Sequence, residues 1–160
     1  MATGILAAVD ERVDLLNISM GQSADNPLLA DAVTIAQQAG VVIVASTGND
    51  GVSDAGYPAD YPGVISVGAV DAKGIHMHFS NFSKKLSITA PGYSVNAAWP
   101  GGQYVAISGT SASTPIVTGA IAAAMSDGSG RRISAGTRPL ESRCYVMVLW
   151  TGQCRDWNKR

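Results

Sequence analysis

Short hydrophobic runs alternate along the chain with polar, glycine-containing turns. Residues 13–19, 41–46 and 64–70 predict strands, and the continuous β-branched run at 41–46 is typical of a parallel strand covered on both faces. Two shorter runs, at 86–89 and 104–108, predict further strands of the same sheet. The pattern therefore predicts about five strands, each ending in a turn where polar residues collect.

Three other segments have the character of helices. Residues 4–12 and 27–39 each carry apolar side chains on one face. The second of them has clear boundaries, since Asn26-Pro27 is typical of a helix start and Gly40 of a left-handed cap. Residues 116–125 are small and apolar, as in a buried helix. The alternation predicts an α/β fold of three layers, with a mostly parallel sheet between helices.

The charge distribution sets the last part of the chain apart. The formal net charge is −1 over 160 residues, but residues 1–126 carry −5 and residues 127–160 carry +4. Both cysteines and two of the three tryptophans also lie in that last segment. We therefore expect a basic tail over 127–160, frame-shifted or disordered. The alternative is a basic extension in which Cys144 and Cys154 are bridged after export.

Composition also narrows the classes of function. No apolar run reaches the length of a membrane span, and the first residues lack the basic start and apolar core of a signal peptide. The clustered arginines of the tail occur without a nucleic-acid-binding motif. We expect neither a membrane nor a nucleic acid as a partner.

Ser111 is the first candidate for chemistry. A strand, a turn hinged at Gly109 and a helix place it in the first helical turn, where unpaired N–H groups and the helix dipole favour a developing negative charge. The alternative is that Thr110 or Ser111 simply caps the helix. The ends of the predicted strands, at 19–21 and 47–49, bring further polar residues to the same edge of the sheet. Together these ends predict a site.

Five motifs, taken together, resemble the subtilisin-like serine proteases. They occupy residues 17–21, 45–49, 57–71, 90–92 and 109–115, in the order and spacing of that family. The resemblance covers residues 1 to about 126, so this part of the chain is expected to be a partial peptidase domain. It is similar to the C-terminal half of the family's catalytic domain, and the fold would be incomplete because the N-terminal part is absent.

The resemblance implies roles for individual residues. Ser111 matches the family's nucleophile, and Asn49 matches the residue whose side-chain amide stabilises the oxyanion. Gly56 would lie near the floor of the specificity pocket and leave room for a large apolar side chain. The segments flanking that pocket, where an extended polypeptide substrate would bind, are matched by Ser19, Met20, Gly21, Ala45, Ser46, Thr47 and Gly48.

The chain contains no match to the aspartate and histidine motifs of the family. Its only histidines, His76 and His78, lie in a variable connection and have different flanking residues. A serine without a base is a weak nucleophile, so we expect a serine endopeptidase fragment that is inactive alone and needs the N-terminal half as partner. The alternative is a truncated relative that binds extended peptides without cutting them.

Three further expectations concern nucleotide binding, cofactors and secretion. Residues 48–51 could form a phosphate loop of a nucleotide-binding domain, but the glycine pattern and lysine of such loops are missing. No cofactor is identified; calcium use is implied by the family, with unknown ligands. The family also implies secretion, although the chain carries no signal peptide.

Overall fold

In the computed structural model of the chain we describe residues 1–126, 146–150 and 153–156. The helices are α1 (Ala2–Asp10), α2 (Pro27–Gln38) and α3 (Thr110–Ser126). The strands are β1 (Leu15–Ile18), β2 (Val42–Ser46), β3 (Ile65–Val70), β4 (Ile88–Pro91), β5 (Val95–Trp99), β6 (Gln103–Ile107), β7 (Val146–Trp150) and β8 (Gln153–Asp156).

The main sheet is mostly parallel. Its strand order is β4-β3-β2-β1-β7-β8, and only the β7–β8 pair is antiparallel. Helices α1 and α2 pack on one face, where Ile5, Leu16 and Ile43 belong to one buried core. Helix α3 packs on the other face, where Leu15 and Val117 belong to a second core. The predicted three-layer α/β fold is confirmed.

The ends of α2 show how local signals place an element. The Asn26 side chain accepts a hydrogen bond from the Leu28 amide at 3.0 Å, and Pro27 occupies the first helical turn. Gly40 follows the helix with φ of +85°, a conformation that glycine adopts without a steric penalty. The helix predicted over 27–39 is therefore present within one residue.

The strand before Ser111 is not part of the main sheet, so that prediction was wrong. It forms β6, whose one partner among the described strands is β5, in a separate antiparallel hairpin turned at Gly101 and Gly102. Tyr104 on β6 is 78% exposed, whereas every residue of β1 is buried. A parallel strand covered on both faces is a continuous apolar run, whereas residues 104–108 alternate in polarity, so the alternation was a signal for an antiparallel strand that the prediction did not use.

Strand β4 also differs from its prediction. It includes Pro91, which was expected to stop it, because β4 lies at the edge of the sheet, where a strand tolerates the missing N–H of proline. Strands β7 and β8 lie within the segment expected to be a tail; Cys144 lies outside the described residues. In the described ranges, no helix is long and apolar enough to cross a membrane.

Candidate active site

The site forms where the carboxyl ends of β1 and β2 meet the start of α3. Asn49 Oδ1 accepts hydrogen bonds from the Thr110 amide at 2.8 Å and from Thr110 Oγ1 at 3.0 Å. Ser111 Oγ donates to the Ser19 carbonyl at 3.0 Å. Asn49 and Thr110 are 61 positions apart in the sequence, and Ser19 and Ser111 are 92 positions apart. The fold brings both pairs together at one edge of the sheet, as the sequence predicted for Asn49 and Ser111.

The orientation of the Asn49 amide follows from these contacts. Its oxygen must face Thr110, because the backbone N–H there can only donate. Both bonds use the oxygen, and neither uses the Nδ2 hydrogens. A Cβ at Gly109 would lie 3.2 Å from Asn49 Nδ2, and Gly109 has φ of +153°, so the turn before α3 requires glycine.

A cavity of about 310 Å³ adjoins this pair. Six of the eight residues expected to contact a substrate line it, together with Asn49 and Ser111: Met20, Gly21, Ser46, Thr47, Gly48 and Gly56. Ser19 and Ala45 are not part of the lining. Ser19 contributes its carbonyl to Ser111 instead, and Ala45 is completely buried in the core beneath α1 and α2.

Gly56 lies where two loops cross closely. Its amide donates to the Thr47 carbonyl at 2.9 Å, and a Cβ there would come within 3.1 Å of the Gln22 carbonyl. Gln22 and Tyr57 pair through backbone hydrogen bonds of 2.8 and 3.0 Å. Because Gly56 has no side chain, the two backbones can approach closely, and no side chain projects from residue 56 into the cavity.

Two carboxylates line the cavity, and sequence reasoning missed both. Asp50 directly follows Asn49, and Asp54 lies on the next turn of the same loop. Lysine, arginine and histidine are all absent from the lining that the described residues provide. The available signal was the position of Asp50 next to a candidate oxyanion donor.

Asn81 and Thr110 were also missed as individual residues. Thr110 belongs to the motif at 109–115, and its hydroxyl accepts from the Gly48 amide at 3.3 Å as well as donating to Asn49. Asn81 lies on the connection between β3 and β4 and lines the cavity. Nothing in its local sequence marked it, because its partners lie about 30 residues earlier.

A buried polar chain lies behind Ser111. Asn17, in the centre of β1, is completely buried; its Nδ2 donates to Ser19 Oγ at 2.8 Å, and its Oδ1 accepts from Thr118 Oγ1 at 2.8 Å. These bonds join β1 to α3. They also satisfy polar groups that would be costly to bury alone. Strand β1 is thus tied directly to the helix that carries Ser111.

His76 and His78 take no part in the site. Both are exposed on the connection between β3 and β4, where their rings contact Phe82 and Phe79 edge to face. The polar partner of the Ser111 hydroxyl is a carbonyl, which cannot accept its proton as a base would. Over the described ranges, the histidine, cysteine and acidic side chains form no group of three or more that could hold a metal ion.

Comparison with known proteins places this site in context. The sequence matches the subtilase family over residues 1–135. It is 39% identical over 122 residues to the thermostable alkaline protease of Halalkalibacterium halodurans, covering 76% of this chain and 34% of that protein. It is also 39% identical over 127 residues to subtilisin E of Bacillus subtilis, covering 77% of this chain and 33% of that protein.

Solved structures give the same result. The prenylagaramide maturation protease PagA superposes with a TM-score of 0.75 at 36% identity, covering 78% of this chain and 48% of that structure. The patellamide maturation protease PatA does so with a TM-score of 0.72 at 38% identity, covering 78% and 48% respectively. The chain thus spans about a third to a half of the length of these relatives.

Proposed function

The chain belongs to the subtilase family, and we propose that it is the C-terminal half of a serine endopeptidase domain, with Ser111 as nucleophile and Asn49 as oxyanion donor. The observation that carries this proposal is the convergence of Asn49, Thr110 and Ser111 beside a cavity large enough for a side chain. The family match by itself supports the class of activity, but it does not say where Asn49, Thr110 and Ser111 lie relative to one another.

The geometry suits acyl transfer. Ser111 is the second residue of α3, so its backbone N–H is among those without a partner inside the helix. This N–H and Asn49 Nδ2 would donate to the oxygen of a substrate carbonyl as it becomes negative. The fixed Asn49 oxygen, held by Thr110, keeps the amide from rotating, and thus the donors are aligned before the reaction begins.

The missing step is removal of the Ser111 proton. In the present arrangement Ser111 remains a neutral hydroxyl bonded to the Ser19 carbonyl. A histidine from the N-terminal half, oriented by an aspartate, would replace that contact and activate the serine. On this proposal the isolated chain binds extended polypeptide but does not hydrolyse it.

The activity test combines the chain with a separately produced N-terminal half of a relative that carries the aspartate and histidine. We expect hydrolysis of a peptide substrate by the mixture and none by either half. Ser111→Ala should abolish it. Asn49→Ala should lower kcat on the order of 100-fold or more, a magnitude carried over from this family rather than derived from the structure. No hydrolysis by a mixture shown to associate would favour a non-catalytic peptide-binding protein.

A covalent probe tests the isolated chain directly. A serine-directed phosphonate should label Ser111 slowly or not at all in the chain alone, and rapidly in the mixture. Rapid, stoichiometric labelling of the chain alone would show that a base is already present, and the proposed division of the catalytic residues would be wrong. Ser113→Ala is a matched control, because Ser113 is a fully buried serine of the same helix.

A further inference from the structure

The side chain of Asn81 contacts the loop that follows β2. Asn81 is 3% exposed. Its Oδ1 accepts hydrogen bonds from the amides of Asp50, at 2.8 Å, and Val52, at 3.3 Å. Its Nδ2 donates to the Thr47 carbonyl at 3.2 Å. One side chain thus binds the loop both before and after Asn49.

Backbone contacts of Asn81 reinforce this arrangement. Its amide donates to the Gly48 carbonyl at 3.0 Å, and its carbonyl accepts from Thr47 Oγ1 at 3.1 Å. A Cβ at Gly48 would come within 2.5 Å of Asn81 Nδ2, so the loop and the asparagine fit together only because residue 48 is glycine. Asn81 forms no hydrogen bond with Asn49 itself, which is exposed.

The loop needs such a partner because it has left the sheet. Beyond β2 its amides and carbonyls have no strand ladder, and buried polar groups of the backbone require other partners. A carboxamide is suited to this task, since it offers an acceptor with two lone pairs and two donor hydrogens in one planar group. Asn81 therefore fixes the backbone on both sides of the residue proposed to stabilise the oxyanion.

We propose that Asn81 is a positioning residue, which holds the Thr47–Val52 loop so that Asn49 meets Thr110 and Ser111. This inference rests on the proposed function of Asn49. A residue that only stabilised the fold would act on all parts of the chain alike. A positioning residue acts selectively on Asn49, and the Thr110 amide reports that position because it donates to Asn49 Oδ1 at 2.8 Å.

The test measures hydrogen exchange of the Thr110 amide in the complete 160-residue chain. Asn49→Ala and Asn81→Ala should each accelerate this exchange roughly tenfold or more, as expected when the hydrogen bond of a partly buried group is lost. The double variant should exchange no faster than the faster single variant, because both remove the same contact. Val33→Ala is the matched control: it destabilises the core beside α2 without touching the loop.

Asn81→Ser serves if the alanine variant does not fold. Its hydroxyl keeps one polar group beside the loop and places no carboxylate against the Thr47 carbonyl and the Asp50 carboxylate, so an intermediate acceleration at Thr110 is expected. The proposal is overturned if Thr110 is unprotected in the unmodified chain, if Asn81→Ala leaves its exchange unchanged, or if Val33→Ala accelerates it equally. Equal, additive effects in the double variant would also overturn it.

The exchange measurement does not depend on catalysis. If the mixture fails to hydrolyse the peptide, the exchange rate of the Thr110 amide still tests the role of Asn81. Where the reconstituted protease is active, Asn81→Ala should lower kcat roughly tenfold or more with little change in KM, because an oxyanion donor acts mainly in the transition state. A change confined to KM would contradict the positioning role.

Discussion

Asp50 is the residue that we expect to influence most strongly which side chain binds in the cavity. It lies beside Asn49, and its carboxylate Oδ2 is 3.5 Å from Asn81 Nδ2. Asp54 also lines the cavity, but it lies four residues beyond Asp50 on the loop. Because Asp50 directly follows Asn49, it is the carboxylate that we expect to attract a cation from a substrate.

We predict that peptides with lysine at the position that enters the cavity are preferred over those with norleucine, a neutral side chain of similar length. Asp50→Asn should reduce this preference by roughly fivefold, since a solvent-exposed ion pair contributes about 1 kcal/mol. Competition between the two peptides, measured by cleavage in the mixture or by binding to the chain, checks the prediction.

Asp54→Asn is the control for this charge effect, and it should change the preference less because Asp54 lies farther along the loop from Asn49. Equal use of the two peptides by the unmodified site would contradict the prediction. This prediction departs from the large apolar side chain expected from Gly56, because the apolar stem of lysine would lie along the cavity wall while its charge reaches Asp50.

At the scale of elements, Tyr61 joins the loop after β2 to the start of α2. Its hydroxyl lies 2.6 Å from Asp25 Oδ1 and 3.1 Å from the carbonyl of Asn26, the cap residue of the helix. Burial, and next the hydrogen bond to Asp25, raise the pKa of Tyr61 above its usual value of 10.0. The folded state thus favours the neutral phenol.

This pKa determines the sign of a pH effect. A group whose pKa is raised by folding contributes stability that is complete below the pKa of the unfolded chain and is lost as pH rises through the folded pKa. Tyr61→Phe should lower the free energy of unfolding by about 1 kcal/mol at neutral pH, through the lost hydrogen bond. It should also remove part of the loss of stability above about pH 10.

Urea unfolding of both proteins between pH 7 and pH 11 measures this effect. Tyr104→Phe is the matched control, since Tyr104 is 78% exposed and should leave the curve unchanged. Parallel pH curves for Tyr61→Phe and the unmodified chain would show that the tyrosine does not couple the loop to the helix.

The sequence predicted the elements whose signals are local. The cap at Asn26 and the glycine at 40 delimit α2, and the continuous apolar run at 41–45 identifies β2, because burial on both faces favours such a run. The β5–β6 hairpin was not predicted, although the alternation along 104–108 and the turn at Gly101 and Gly102 are local signals for one. Asn81 was missed for a different reason: its partners are distant in sequence and close only in space.

At the scale of the molecule, the site depends on the order of the sheet. Ser19, whose carbonyl accepts a hydrogen bond from Ser111, directly follows β1, and β2 leads into Asn49. Because β1 and β2 are parallel neighbours, their carboxyl ends bring the two candidate residues to one edge. The motif spacing indicated this arrangement, but the position of β7 on the other side of β1 had no signal in the sequence.

Strand β7 pairs with β1 in parallel register, from Leu15 opposite Val146 to Ile18 opposite Leu149. A strand of an added N-terminal half that joins the sheet beside Ser19 must use that side of β1, since β2 occupies the other. Assembly from two separately folded halves then becomes an exchange of one strand for another. Its rate would be limited by release of β7, and would stop rising once the added half is in excess.

Val148→Pro should relieve this limit, because proline lacks the N–H that a central strand contributes to its neighbours. Activity should then appear faster after mixing and depend on the concentration of the added half over a wider range. Arg155→Pro in β8, which pairs only with β7, is the control and should have a smaller effect. Stopped-flow mixing with a fluorogenic peptide follows the time course. Equal lag times for the unmodified chain and the two proline variants would show that release of β7 does not limit assembly.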